Sequence, residues 1–235
     1  MIALLFGLVA SSALVIGAVV GAYWTPPRPL IAASLAFASG ALITALAFDL
    51  FQESFERSGA WLSAVGLLAG TATFVGAKEL LDRYMIGPPG GGASAFALLA
   101  AVTLDGVPEN MALGVSLLET SGAGALTLLV AIFFSNLPEA LVGTVGMRQQ
   151  GRSRSFVITL WTATAVVLAA AVVLGNGALS GAEERTLAVL LAFAGGAVLA
   201  SLADTLMPDA YREGGAWVAF ATAAGFLLSF LIAEV

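Results

Sequence analysis

Apolar residues in this chain neither alternate with polar ones nor recur on one helical face. They run in blocks of about 20, the length needed to cross about 30 Å of hydrocarbon. The blocks are Met1 to Trp24, Leu30 to Phe51, Ala60 to Leu81, Ala93 to Leu118, Ala123 to Met147, Phe156 to Leu174, Thr186 to Met207 and Ala216 to Ala233. The pattern predicts eight transmembrane helices. Between them stand breaks such as Thr25-Pro26-Pro27-Arg28-Pro29, Gly87-Pro88-Pro89-Gly90-Gly91-Gly92, Ser121-Gly122-Ala123-Gly124 and Gly175-Asn176-Gly177, which read as turns and linkers. The glycines at 90–92 are not a phosphate loop, because no strand precedes them and no Lys-Ser or Lys-Thr follows. The first block starts Met1-Ile2-Ala3-Leu4 with no basic residue ahead of it, so it is expected to be a retained helix and not a secretory signal.

Composition agrees with that pattern. Of 235 residues, 60% are hydrophobic and 10% charged, against about a quarter charged in a soluble domain. Eight spans leave no space for a second, soluble domain. Cysteine and histidine are both absent, which removes disulfides, thiolate sites, thiol nucleophiles and the usual general base. Metal or proton chemistry would have to run on oxygen ligands. Fifteen acids against nine bases give a net charge of −6 and argue against a nucleic-acid partner. The lipid bilayer is the expected surrounding. Arg28, Lys78, Arg83, Arg148, Arg152, Arg154 and Arg212 fall in loops after the odd spans, and only Arg57 and Arg185 in the others. That asymmetry places the first set in the cytoplasm and both termini outside an inner (plasma) membrane.

The stretch Leu35-Ala36-Phe37-Ala38-Ser39-Gly40-Ala41 returns 156 residues later as Leu191-Ala192-Phe193-Ala194-Gly195-Gly196-Ala197, and Gly59-Ala60-Trp61 returns at the same offset as Gly215-Ala216-Trp217. About twelve of 27 positions match without a gap. Shared Ala/Gly/Leu composition is the plainer explanation for two helices, but it does not account for a loop tryptophan. The second copy comes five spans after the first, an odd number of crossings, so the two are expected to cross in opposite directions. Inverted repeats accompany alternating-access transporters with sites near the midplane.

A charged residue at a helix centre costs about 2.5–3.5 kcal/mol on insertion scales. Asp105 and Glu109 nevertheless lie in the fourth span, Glu139 in the fifth, Asp49 late in the second and Asp204 in the seventh, with no Lys, Arg or His expected at comparable depth. Such acids are neutralised by protons or by a cation. Asp105 and Glu109 share a helix face at i, i+4, and Ser135 and Glu139 repeat the spacing. Pro108 and Pro138 precede the two glutamates, and each frees a backbone carbonyl four residues earlier as a further ligand. Asn136 adds a neutral oxygen, and Asn110 and Thr103 are further candidates. Asp49, Glu53, Asn110, Asp204 and Asp209 are candidates for an entry or exit path; for Asp49 and Asp204 a snorkelling or capping role is the plainer alternative. The methionines read as core fillers. Gly17 with Gly21 and Gly66 with Gly70 form GxxxG pairs that bring helices close, within the chain or across a homodimer.

On these residues the chain resembles the ZIP (Zrt/Irt-like) divalent metal transporters. Asp105-Gly106-Val107-Pro108-Glu109-Asn110 is similar to that family's His-Asn-x-Pro-Glu-Gly motif of span four. Ser135-Asn136-Leu137-Pro138-Glu139-Ala140 is similar to the related motif of span five, and Asp204-Thr205-Leu206-Met207-Pro208-Asp209-Ala210 to a signature near the end of span seven. The resemblance implies an all-α membrane protein of eight helices in a 3+2+3 arrangement with inverted outer triplets. One transporter domain then covers 1–235, as a first triplet at 1–84, a central pair at 93–147 and a second triplet at 155–235. It implies a metal site at Asp105, Glu109, Ser135, Asn136 and Glu139. Asp105 stands where the family has histidine, Ser135 where it has His or Gln, and no carboxylate occurs from Phe156 to Leu174, where binuclear members keep a glutamate.

The function expected from this resemblance is divalent metal transport by alternating access, not an enzymatic reaction. Zinc is the cargo by resemblance. Replacing histidine by aspartate shifts the preference toward manganese or iron(II), and cadmium belongs to the same panel; no organic cofactor is expected. The alternative is a protein of the same fold that has lost transport and serves as a regulatory or structural partner. An intramembrane protease fits less well, since the Gly-x-Gly-Asp context and the histidine such enzymes use are missing.

Overall fold

The computed structural model describes residues 1–84, 95–118 and 123–233. Among them the chain is helical, with no strand, because a helix satisfies its backbone N–H and C=O groups without water. Helix α1 runs Ile2–Tyr23, α2 Arg28–Ala45, α3 Glu53–Ser58, α4 Ala60–Tyr84, α5 Ala95–Ser116, α6 Ala123–Gln149, α7 Arg154–Ala178, α8 Glu184–Ser201, α9 Met207–Gly214 and α10 Val218–Ala233. A π-helical segment, Leu46–Gln52, joins α2 to α3, and a second, Leu202–Leu206, joins α8 to α9. The glycine linker at 90–92 and the Ser121-Gly122 turn lie outside the described residues.

Six stretches of described helix are long and apolar enough to cross a membrane: Ile2–Tyr23, Arg28–Ser58, Ala60–Arg83, Gly124–Gln149, Arg154–Ala178 and Glu184–Ala233. Helix α5 is a further apolar helix of 22 residues. Together they mark a multi-pass membrane protein. The difference from eight separate spans arises because α5 is not among the six and because helix continues past Met207, so that Glu184–Ala233 forms one stretch; helix also continues past Phe51, to Ser58. Glu53, Glu56 and Arg57 are good helix formers, and Pro208 sits in the first turn of α9, where its missing N–H costs nothing. The direction changes at Gly59 (φ 80°) and Gly215 (φ 62°), in left-handed backbone that only glycine enters without strain.

Gly59 and Gly215 are equivalent positions of the repeat, as are Leu46 and Leu202, where the two π segments begin. The two copies lie antiparallel. Arg28 meets Glu213 at 3.6 Å, Leu35 and Leu206 share a cavity wall, Leu46 and Leu50 approach Gly195, and Arg57 meets Glu184 at 3.7 Å. Each copy then pairs with the final helix of the other, α2 along α10 and α8 along α4. A Cβ added at Gly40 would collide with the Thr222 carbonyl, and one at Gly196 with the Leu67 carbonyl. Gly225 and Gly70 stand in the same relation to the carbonyls of Phe37 and Phe193, themselves repeat equivalents. Thr44 Oγ1 donates to the Phe226 carbonyl (3.1 Å) and Thr71 Oγ1 to that of Gly196 (3.0 Å). In lipid, close van der Waals contact and interhelical hydrogen bonds of this kind hold helices together.

A second group consists of α1 packed on α6 and α7, with α5 on α7. Here Gly17 faces the Leu137 carbonyl, Gly21 that of Leu141 and Gly175 that of Met111. Both GxxxG pairs are thus occupied inside the chain. Gly40→Ala and Gly196→Ala should each lower stability by about 1–3 kcal/mol, the cost of overpacking. Gly76→Ala, in helix and with nothing near its added Cβ, should not lower it and should raise it by up to about 1 kcal/mol, since alanine is the better helix former; thermal unfolding in detergent checks all three.

Candidate functional site

The expected ligands stand on α5 and α6, where these helices meet the wall formed by the repeated copies. Both helices continue through their prolines. Glu109 is 6% exposed, and Asn110, Ser135 and Asn136 are fully or almost fully buried. Asp105 lies one turn before Glu109 on α5, but its side chain is outside the described residues.

Glu109, Ser135 and Glu139 line one small chamber, completed by Leu42 of α2, Val198 and Ser201 of α8 and Leu206 of the second π segment. Its volume, about 10 Å³, is at the lower limit for one water molecule. It suits a dehydrated ion and no organic molecule. Among these lining residues none is basic. Ser135 donates its hydroxyl proton to the Ile132 carbonyl (3.0 Å), which leaves only lone pairs to offer the chamber.

The two asparagines behave differently. Asn136 Nδ2 donates to the Ala10 carbonyl (3.3 Å) and ties α6 to α1. Asn110 Nδ2 donates to the Gly106 carbonyl (2.8 Å), and among the described residues its Oδ1 is buried with no hydrogen-bond partner. Of the expected ligands the structure therefore brings Glu109, Ser135 and Glu139 to one chamber. Among the described residues, no three carboxylates converge as a metal group.

Glu139 and Leu206 also belong to a larger, half-open cleft of about 240 Å³. From Glu139 it passes Thr164 and Thr205 to Asp209, between apolar walls that include Leu35, Met147 and Trp161. Glu139 is thus the one carboxylate shared by the small chamber and the cleft. The cleft lies toward the end of the bundle where Arg28 meets Glu213, Arg154 Nε donates to the Ala22 carbonyl (3.1 Å) and Arg148 to that of Arg152.

The path candidates separate clearly. Asp209 lines the cleft. Asp204 instead pairs with Lys78 at 3.3 Å, and Lys78 with Asp82 at 2.8 Å. This corrects the expectation that no base shares the depth of Asp204: Lys78 is helical, and its long side chain carries the ammonium to the second π segment. Asp49, on the first π segment, lies beside Gly124 at the start of α6, and Glu53 pairs with Arg57. Sequence reasoning missed Ser201, which lines the chamber, and Thr205 and Thr164, which line the cleft. Ser201, Thr205 and Asp209 recur every four residues, a polar stripe that could have been read; Thr205 donates to the Ser201 carbonyl (2.8 Å).

The cysteine-free chain offers a direct check of this geometry. In single-cysteine variants of purified protein, Thr205→Cys, on the half-buried rim of the cleft, should react with a bulky maleimide at least about tenfold faster than Ser135→Cys, at a position 2% exposed, because side chains in a packed interior are shielded from reagents. Equal rates would contradict the division into an accessible cleft and a buried chamber. Compared with known families and curated proteins, the chain matches neither a family model nor a curated protein.

Proposed function

We propose that the chain is a ZIP-like carrier of divalent cations. In this reading it has eight spans grouped 3+2+3, its seven-base end is cytoplasmic, and an ion is held by Glu109 and Glu139 with Ser135 assisting and Asp105 one turn away. The observation that carries the reading is the small chamber walled by two glutamates and two serines, joined through Glu139 to the cleft that Asp209 lines. Glu109 is buried and Glu139 half-buried at one void, and two carboxylates at one void suit a divalent cation. Oxygen-only ligands favour manganese or iron(II) beside zinc and cadmium.

The antiparallel copies supply the second support. Carriers with inverted repeats alternate by moving one group of helices against the other around a fixed site. Here the glutamates ride on α5 and α6, in the group with α1 and α7, while Leu42, Val198, Ser201 and Leu206 of the facing wall belong to the repeated copies. A displacement between the groups would carry the ion from one opening to the other. The alternative, a protein of this shape serving as a regulatory or structural partner, draws on the lack of three converging carboxylates among the described residues.

Uptake of Zn²⁺, Mn²⁺, Fe²⁺ and Cd²⁺ by proteoliposomes distinguishes the two. Transport of at least one ion should fall more than about tenfold in Glu109→Ala and in Glu139→Ala, since each removes a charged ligand. Retained uptake in both variants would refute the ligand assignment. The same ions should stabilise purified protein by about 2.7 kcal/mol at a hundredfold excess over Kd. Neither uptake nor stabilisation by any of them would favour the structural-partner reading.

A further inference from the structure

We propose that the chain has a second cation mouth, closed in this structure, at Asp49 and Glu53, with Arg57 as its plug. The inference rests on the transport reading and adds to it the entrance used in the opposite state.

At the repeat offset of 156, Thr205 and Asp209, which line the half-open cleft, correspond to Asp49 and Glu53. Because the copies run antiparallel, these equivalents lie at the other end of the bundle. The correspondence extends to the ion pairs that bridge the copies. Arg28 is equivalent to Glu184 and Arg57 to Glu213, so Arg28–Glu213 and Glu184–Arg57 are one pair occurring twice, with the charges exchanged. Both bases lie on the first copy and both acids on the second.

Equal positions therefore have unequal surroundings. At the cleft end Arg28 is 85% exposed. Asp209 there has the outlying Arg212, 69% exposed, at 2.9 Å, and one turn on it has the like charge of Glu213. That mouth carries two acids whose paired bases, Arg28 and Arg212, both lie outward, and it stands half open. At the other end, the position of Glu213 holds a base: the Arg57 side chain is only 23% exposed, pairs with Glu53 one turn back, and reaches across to Glu184 of the second copy. Its guanidinium neutralises Glu53 and links the copies, as an arriving cation would. Arg57 is a tethered stand-in for the cargo. Opening this mouth requires the guanidinium to swing outward with Glu184, itself 75% exposed, and a divalent ion settling on Glu53 and Asp49 favours that movement by taking its place.

The test uses the full chain in proteoliposomes, with a single cysteine introduced as Gly124→Cys. The Cβ there would lie 3.4 Å from Asp49 Oδ1, in ordinary contact. A membrane-impermeant thiol reagent should label it slowly in this background. Adding Arg57→Ala or the bulkier Arg57→Gln should raise the rate by about fivefold or more, and Arg57→Lys much less, since a base at 57 preserves the closed population. Mn²⁺ should slow labelling again in the Ala and Gln variants. Unchanged labelling in both, in protein that elutes as a single species, would overturn the plug. Faster labelling that Mn²⁺ leaves untouched would overturn the cation mouth. Metal uptake measured on the unmodified chain bears on the transport reading alone, so the two ideas can fail separately.

Discussion

Carboxylates held away from water must be balanced, and this requirement organises most of what is distinctive in the molecule. Glu109 and Glu139 border a void whose other walls are a serine pair and aliphatic side chains, with no histidine anywhere in the chain to share a proton. Elsewhere balance is provided by bases: Lys78 for Asp204 and Asp82, Arg57 for Glu53 and Glu184.

The scaffold around it is governed by closeness of approach. Helices in lipid gain nothing from burying more hydrocarbon, so they associate where small residues let backbone meet backbone. Gly40 and Gly196 lie opposite carbonyl oxygens of α10 and α4, and the same junction is made again from the other side by Gly225 and Gly70. Two equivalent interfaces result, and the second π segment lends Leu206 to the chamber. Each π turn carries an acid, Asp49 or Asp204, and widened turns of this kind are frequent at functional sites.

Much of this was legible in the residues. The apolar blocks gave the helices, and the constant offset between Leu35-Ala36-Phe37-Ala38 and Leu191-Ala192-Phe193-Ala194 gave the duplication, because both signals are local or strictly periodic. The meeting of Glu109, Ser135 and Glu139 could be anticipated from two Pro-Glu pairs on consecutive spans. Other features were not legible. Helix persistence past Phe51 and Met207 depends on Gly59 and Gly215 being the first residues to leave right-handed backbone, which hydropathy does not weigh. Asn136 has the composition of a ligand, but the Ala10 carbonyl on another helix takes its amide proton. Lys78 reads as a loop base until the length of its side chain is set against the position of Asp204.

The exchange of charge between equivalent positions has a consequence for how the halves recognise one another. Two first copies set against each other would bring Arg28 toward Arg57, and two second copies would bring Glu184 toward Glu213. Only the mixed arrangement attracts at both ends. Although the halves share a backbone plan, each is a poor partner for its own likeness, so electrostatics writes into the duplicated chain a rule of assembly that shape alone would leave degenerate.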